Sequence, residues 1–282
     1  MKKRSIEEQF FLWLMRFTTA SIIMVLSGLL FVIFKKGYHA MSWAMISEEP
    51  QGGFYLGAGG GILNAILGSV YLSVGAIILA ILVGLPVALA MNVHMVRYKI
   101  WVTVIRFLLD TLWGVPSIVY GAFAFGIMVY FHLRASLLAG IITVALLIVP
   151  IITRAFDEAL RTIPNGLLET TYAIGGTRSE ASFVIFFRQA LPGLITAVLL
   201  ALCRGIGDAA SVLFTAGYTD HVPQRLTDPT ATLPLAIFFQ LSSPIPEVKE
   251  RAYAATLVLT IIILVISILS RIAGRRFKKY VL

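Results

Sequence analysis

Six apolar runs, separated by short charged segments, constrain the fold of this chain more than any other feature. They cover residues 17–34, 63–93, 108–131, 136–153, 190–216 and 253–272. A helix of about 17–25 apolar residues is long enough to cross the hydrocarbon core of a bilayer. Because 59% of the residues are hydrophobic and only 13% are charged, a soluble core could not bury this surface. The sequence predicts an all-α membrane protein with six transmembrane helices.

Two of the runs contain helix-breaking residues. Gly84 and Pro86 lie in the second run, which is too long for a perpendicular crossing. The third run is interrupted early by Gly114, Pro116 and Ser117. Proline removes a backbone donor and bends a helix. We therefore expect tilt or a kink in the second run, and a helix break in the third whose backbone groups face protein or a wet cavity.

The distribution of basic residues predicts the orientation of the chain. With both termini in the cytoplasm, the cytoplasmic segments hold sixteen Lys and Arg residues and the external segments hold six. This asymmetry follows the positive-inside rule. It also accounts for the net charge of +9, so no nucleic-acid partner is needed. We expect a multi-pass membrane protein with both termini in the cytoplasm.

The charged loop between the fourth and fifth runs carries signals for a short helix over residues 167–174. Asn165 can cap its start, and Gly175 can end it in a left-handed conformation. Leu168 and Tyr172, four residues apart, would then share one face.

A second helix signal follows in the same loop, residues 155–189. Thr177 and Glu180 have the spacing of a capping box, which predicts that a further helix begins here and enters the fifth run. The loop is either an ordinary cytoplasmic connection or a preformed helix displayed to a soluble partner.

The fifth run carries two stripes at helical spacing. Small residues recur at every fourth position, at Gly193, Ala197, Ala201, Gly205 and Ala209. The neighbouring polar stripe consists of Arg204, Asp208, Ser211 and Thr215. On a helix, the first stripe lets another helix approach closely, and the second places its polar groups on one face.

Arg204 and Asp208, one helical turn apart, can form an ion pair. A charge at the bilayer centre costs about 2.5–3.5 kcal/mol, so such residues normally face a partner or a wet path. The pair either only pins the helix or lines a translocation path. In the second case a guanidinium suits an oxyanion, because its donors match phosphate geometry and it remains charged.

Three other polar features are open to more than one interpretation. Arg154, at the end of the fourth run, either marks a helix end at the interface or binds a ligand. Arg106 and Asp110, where the third run begins, favour a local helix-end pair. The segment 219–251 contains five prolines. Its apolar part, 233–241, is too short to span, which indicates an interfacial or re-entrant piece rather than a plain loop.

Several chemistries are excluded by missing motifs. The sequence has no G-x-x-x-x-G-K-[ST] loop for ATP, no H-E-x-x-H and no G-x-S-x-G. Its single cysteine, Cys203, lies in an apolar run, so neither a disulfide framework nor a cysteine metal site is expected. The four histidines are scattered near predicted span ends. The chain has no visible means of using energy or doing covalent chemistry by itself.

The charged loop resembles the EAA loop of ABC importer permeases, in which Glu-Ala-Ala is followed by three residues, Gly, nine residues and Ile-x-Leu-Pro. Glu169, Gly175 and Ile185 fall at this spacing. Thr170 and Thr171 replace the two alanines, and Phe187-Arg188 replaces Leu-Pro. From about residue 59 to the sixth run, the chain is similar to phosphate-specific ABC permeases. The similar segments are 112–121, 175–178, 190–193, 204–208 and 213–217, with Asp208 where the family usually has Glu.

The resemblance implies the type I ABC importer (MetI-like) transmembrane fold in the cytoplasmic, or inner, membrane. Residues 59–275 would form the permease domain, after an N-terminal segment of residues 1–58 and before a basic tail of residues 276–282. It also implies three kinds of partner besides membrane lipid. These are a second homologous permease, two ATP-binding subunits, and an extracytoplasmic phosphate-binding protein. This chain would hold no cofactor, since ATP and magnesium would bind the ATPases.

The resemblance further implies the function of a pore-forming subunit of an ATP-driven phosphate importer, and not an enzyme. The loop helix, with Leu168, Glu169, Thr170, Thr171, Tyr172 and Gly175, would couple to an ATPase. The substrate path would include Arg154, Arg204, Asp208, Ser211 and Thr215. The alternatives are a permease for another oxyanion, such as phosphonate, molybdate or sulfate, and a self-sufficient secondary anion transporter or channel.

Overall fold

The computed structural model describes residues 6–51, 59–164 and 166–277. Its helices are α1 (Ile6–Ala40), α2 (Trp43–Ser47), α3 (Leu63–Leu89), α4 (Lys99–Trp113), α5 (Ser117–Tyr130), α6 (Leu137–Arg161), α7 (Gly166–Ala173), α8 (Arg178–Glu180), α9 (Phe187–Ile206), α10 (Leu233–Leu241) and α11 (Pro246–Phe277). Two π-helical segments, Ala90–His94 and Ala181–Phe186, extend α3 and join α8 to α9. Among these residues the only β feature is one isolated bridge, so the all-α prediction is confirmed.

Within the described ranges, five helical segments are long and apolar enough to cross a membrane: α1, α3, α6, α8 to α9, and α11. The sixth crossing requires α4 and α5, which meet at 93°. α5 has 14 residues, about 21 Å of helix, which is shorter than the ~30 Å hydrocarbon core. The third run is therefore not one helix over 108–131, because its first helix begins at Lys99 and turns sharply before α5.

The bend between α4 and α5 has a local cause. Pro116 precedes α5 with φ −58° and ψ 138°, so it cannot continue α4. The Tyr120 hydroxyl donates to the carbonyl of Leu112 at 2.9 Å, across the break. The predicted interruption at Gly114, Pro116 and Ser117 is therefore observed as a corner between two helices.

The fifth run differs from the prediction at both ends. Its helical segment runs from Arg178 to Ile206 instead of covering residues 190–216. Gly207 ends it, and the Oδ2 atom of Asp208 then accepts the backbone N–H of Ser211 at 2.9 Å. Aspartate favours such a local bond over continuation of a helix. Residues beyond Ile206 are consequently outside the helix on which the sequence placed them.

The centre of the bundle is formed by α3, α6 and α9, which approach closely at small residues. A Cβ added at Gly205 would lie 2.9 Å from Cδ1 of Ile148, and one at Gly193 would lie 2.7 Å from Cβ of Ala159. The small-residue stripe is confirmed as a packing seam as far as Gly205. Ala209 lies beyond the end of α9.

The proline-rich segment after the fifth run folds back onto the start of α6. The backbone N–H groups of Leu137 and Leu138 donate to the carbonyls of Asp228 and Leu226, each at 2.8 Å. The apolar part, residues 233–241, forms α10, and its Leu233 N–H donates to Ser69 Oγ at 2.8 Å. Its re-entrant or interfacial position relative to a membrane stays a prediction.

Candidate functional site

A network of charged side chains ties α4 and α6 together near the loop helix. Its centre is Asp157 on α6, which is fully buried. Both carboxylate oxygens bind Arg106 of α4, at 2.8 Å to Nε and 2.9 Å to the second nitrogen. The side-chain amide of Asn92, at the π-helical end of α3, donates to Asp157 at 2.8 Å. Three helical segments therefore meet at one carboxylate, and burial is tolerated because the charge is paired and hydrogen-bonded.

Arg154 belongs to the same network. Its guanidinium contacts Asp110 of α4 at 2.6 Å, Asp157 at 2.7 Å and Glu158 at 3.1 Å. With Arg161, which contacts Glu158 at 3.3 Å, the network holds three arginines and three carboxylates and is neutral overall. The donors of Arg154 are thus directed at protein carboxylates in this conformation.

One of the alternatives for Arg154 and the expectation for Arg106 and Asp110 are wrong. Arg154 does not mark the end of the fourth helix, because α6 continues to Arg161. Arg106 and Asp110 are not a local pair, since each binds a residue of α6 instead. Sequence reasoning also missed Asn92 and the central role of Asp157. The spacing of Arg154, Asp157 and Glu158 by three and four residues was the available signal.

Arg204 and Asp208 form the predicted ion pair, at 3.3 Å. The Arg204 side chain is 47% exposed, whereas that of Asp208 is 3% exposed. Ser211 and Thr215 are fully buried, so these four residues do not share one open face. The prediction failed because α9 ends at Ile206. Among the described residues, the Ser211 hydroxyl has no hydrogen-bond partner.

The packing of α6 against α9 places the two candidate arginines at different levels. Gly193 lies opposite Ala159, and Gly205 lies opposite Ile148. In this register Arg154 is level with the residue about six positions before Arg204, which corresponds to roughly 9 Å along the helix axis. The two guanidinium groups also bind different carboxylates, so in this conformation they belong to two separate sites.

The loop helix α7 is formed almost as predicted, over Gly166–Ala173. Gly175, at φ +83°, ends it. The N–H of Gly176 donates to the carbonyl of Thr171, and that of Gly175 to Tyr172, which is the Schellman arrangement. Asn165, the predicted cap, lies outside the described residues.

One side of α7 is held by the bundle and the other is free. Leu168 packs against the main core and Thr171 is buried. Tyr172 is 41% exposed and Ile174 is 80% exposed. Glu169 and Thr170 are also exposed. A short helix fixed from behind and carrying apolar side chains at its free end is suited to docking into a partner.

A new helix begins after α7, as predicted. Thr177 and Glu180 form a capping box, in which the Thr177 N–H donates to Oε2 of Glu180 at 2.7 Å and the Glu180 N–H donates to Thr177 Oγ1 at 3.3 Å. Both helices flanking the turn are therefore capped, and the turn between them is fixed by backbone geometry. No group of three or more His, Cys, Asp or Glu side chains that could hold a metal occurs in the ranges that the structure describes.

Residues 80–279 match the family model described as binding-protein-dependent transport system inner membrane component, which defines the class of this protein. The chain is 35% identical over 261 residues to the phosphate transport system permease protein PstA of Yersinia pestis, covering 90% of this chain and 86% of the relative. The PstA protein of Pasteurella multocida is 32% identical over 263 residues, covering 90% and 91%. The chain belongs to the PstA permeases of this family, which confirms the resemblance.

The fold is similar to that of a solved chain of the MetNI methionine ABC transporter in an inward-facing conformation. The TM-score is 0.61 at 20% identity, covering 78% of this chain and 96% of that chain. At this identity the likeness concerns the fold alone. It confirms the predicted type I ABC importer (MetI-like) architecture.

Proposed function

We propose that this chain is a pore-forming permease subunit of an ATP-driven importer that carries inorganic phosphate across the cytoplasmic membrane by alternating access. Its relatives bear the name of phosphate transport permeases, and its fold is that of an ABC importer permease. One structural observation supports the proposal most directly. Arg204 presents an exposed guanidinium near the end of a membrane-crossing helix.

Arg204 is the residue of the path that contacts the anion. Its fork of donors matches two phosphate oxygens, and a guanidinium binds them with charge-assisted hydrogen bonds. Asp208 holds it by a single contact at 3.3 Å and is itself fixed by the Ser211 N–H. A carboxylate beside the guanidinium competes with phosphate, which keeps binding weak enough for release. Ser211 and Thr215 are buried in and behind the turn that follows α9. Their hydroxyl groups reach the anion only if that turn opens.

Arg154 is the second phosphate-binding residue of the path, and it lies nearer the loop helix. Its three carboxylate contacts must loosen before it can accept an oxyanion. Asp110 lies on α4 and not on α6, so separation of these two helices frees one side of the guanidinium. Arg154 therefore takes phosphate only in a conformation in which α4 has moved away from α6.

The energy for this movement comes from partner subunits. Two ATP-binding subunits hold ATP and magnesium, and the permease binds to them through α7 and the residues up to Gly175. A second permease completes the pore, and an extracytoplasmic binding protein delivers phosphate. Both termini lie in the cytoplasm, an orientation supported by the excess of basic residues in the segments assigned there.

Uptake of radioactive phosphate by the assembled complex tests the role of Arg204. We expect Arg204→Leu to lower ATP-dependent uptake at least about tenfold, and Arg204→Lys to recover only part of it, because lysine lacks the bidentate fork. The control Arg225→Gln removes a charge elsewhere and should have no effect. Undiminished uptake by Arg204→Leu in a fully assembled complex would remove this residue from the path.

Copurification of the ATP-binding subunits tests the coupling helix. Gly175→Trp adds bulk at a position with φ +83°, where a side chain is strained, so we expect loss of ATPase binding and of uptake. Gly166→Ala, at the other end of α7 with open space around it, is the matched control. Normal assembly and uptake with Gly175→Trp would contradict the coupling role.

Two alternatives are separated by simple assays. A permease for another oxyanion would show uptake inhibited by sulfate, molybdate or a phosphonate more strongly than by unlabelled phosphate. A secondary transporter or channel would move phosphate in liposomes that contain only this chain, driven by a gradient and indifferent to ATP. We expect no transport by the chain alone.

A further inference from the structure

The cleft between the end of α1 and the start of α11 has two chemically distinct parts. It encloses about 700 Å³, a volume within the range of small-molecule sites. Its apolar wall is formed by Phe31 and Val32, in a part of α1 that is not buried against the protein. One turn further along α1 the wall becomes basic, with Lys35 and Lys36.

The opposite wall adds to the positive charge. Lys249 and Glu250 line the cleft from α11, so three lysines face one carboxylate there. Among the described residues neither Lys35 nor Lys249 belongs to an ion pair. Lys36 is fixed by Tyr253, whose hydroxyl accepts its Nζ–H at 3.1 Å and whose ring lies 4.6 Å from the same nitrogen.

The two helices are in close contact beside the cleft, so its shape is defined. A Cβ added at Gly37 would lie 2.7 Å from Cβ of Leu257, which shows how closely α1 and α11 approach at this level. The exposed aromatic residues Tyr38 and Trp43 follow at once. Exposed tyrosine and tryptophan next to lysine are typical of the level of the lipid headgroups.

In the orientation proposed above, the charge of this cleft is unusual for its side of the membrane. Three of the six basic residues in the external segments lie here, although lysine and arginine collect on the opposite side of most membrane proteins. Each lysine or arginine at the headgroup level strengthens the attraction between the protein and anionic lipids. An apolar wall below and a basic rim above match a phospholipid, with its acyl chain along Phe31 and Val32 and its headgroup at the lysines.

We propose that the cleft between α1 and α11 is a binding site for one anionic phospholipid of the outer leaflet. Its headgroup phosphate binds Lys35 and Lys249, and one acyl chain lies against the unburied side of α1. The lipid fills the cleft beside the contacts that join the two helices at Gly37 and at Lys36. This site is independent of the substrate that the transporter carries.

Native mass spectrometry of the whole transport complex tests the proposal. The complex is taken from nanodiscs that contain a minority of phosphatidylglycerol in phosphatidylcholine. We expect the wild type to retain phosphatidylglycerol, and the double variant Lys35→Gln, Lys249→Gln to retain roughly tenfold less. The double variant Arg134→Gln, Arg225→Gln removes the same charge from other external segments and should retain as much as the wild type.

A second variant keeps the charges and fills the cleft. Val32→Trp should also displace the lipid, since it occupies the place of the acyl chain. Equal retention of phosphatidylglycerol by the wild type and both cleft variants would overturn the proposal. It would also be overturned if the cleft variants lost the second permease or the binding protein while the lipid remained, because the cleft would then be a protein interface.

Discussion

Replacement of Asp157 by asparagine tests whether the charged network holds α4 to α6. The substitution keeps the size of the side chain but replaces one acceptor oxygen with a donor that faces arginine. Asp157 accepts four contacts at 2.7–2.9 Å from Arg106, Arg154 and Asn92, and is fully buried. The neutral network would acquire a net charge of about +1 around a side chain that solvent does not reach, while the side chains of Arg106 and Arg154 are 27% and 18% exposed.

The expected cost follows from burial. Removing one partner of a fully buried ion pair destabilises a protein by about 3–5 kcal/mol. Because both arginines are partly exposed and Arg154 keeps its contacts with Asp110 and Glu158, we expect the lower end of this range. Glu158→Gln is the matched control on the same helix. Glu158 is 58% exposed, and an exposed pair contributes about 0–1 kcal/mol. The two substitutions should therefore differ by about 2 kcal/mol or more in the free energy of unfolding.

Tryptophan fluorescence during titration with SDS in mixed micelles provides the measurement. Trp101 and Trp113 lie on α4 and should report its release from α6. The double variant Arg106→Gln, Asp157→Asn restores neutrality and should recover part of the loss. Equal destabilisation by Asp157→Asn and Glu158→Gln would refute the reasoning, because burial would then carry no weight in this network.

Two further predictions concern glycines, and a third concerns a surface contact of Glu49. Gly121→Ala should lower the unfolding midpoint by an amount equivalent to about 1–3 kcal/mol, because its Cβ would lie 2.7 Å from a carbonyl oxygen of the turn after α9. The control Gly126→Ala, in the same helix, meets open space and should be neutral. Gly175→Ala should cost about 1–2 kcal/mol at φ +83°, seen as faster hydrogen exchange in α7. Glu49 accepts the Val222 N–H at 2.9 Å, and this bond lowers its pKa. The stabilisation relative to Glu49→Gln should be present above the ordinary carboxyl pKa and vanish as pH falls through the lowered value, as thermal unfolding at several pH values can check.

Features encoded locally were predictable from the sequence. The capping box at Thr177 and the glycine that ends α7 at Gly175 each depend on residues within one or two turns, and both are present. The corner at Pro116 was also readable, because proline acts on its own neighbours. The small-residue seam on α9 was visible as a spacing of four.

Features that depend on contacts between distant segments were not predictable. Asp110 could pair with Arg106 in its own helix or with Arg154 on α6, and only the packing of the helices decides this. The end of α9 was missed for a related reason. Periodicity continues through Asp208, but its carboxylate binds the Ser211 N–H and starts a turn instead. A polar residue can satisfy a helical pattern and still end the helix.

The first turn of α6 has a consequence for the biogenesis of the protein. The N–H groups of Leu137 and Leu138 are satisfied by carbonyls of Asp228 and Leu226, which the ribosome makes some ninety residues later. At roughly 5–20 residues per second, α6 waits several seconds for these acceptors. During that interval water or the insertion machinery must solvate the two donors, so co-translational assembly of this end of the bundle can be completed only after the fifth crossing has been synthesised.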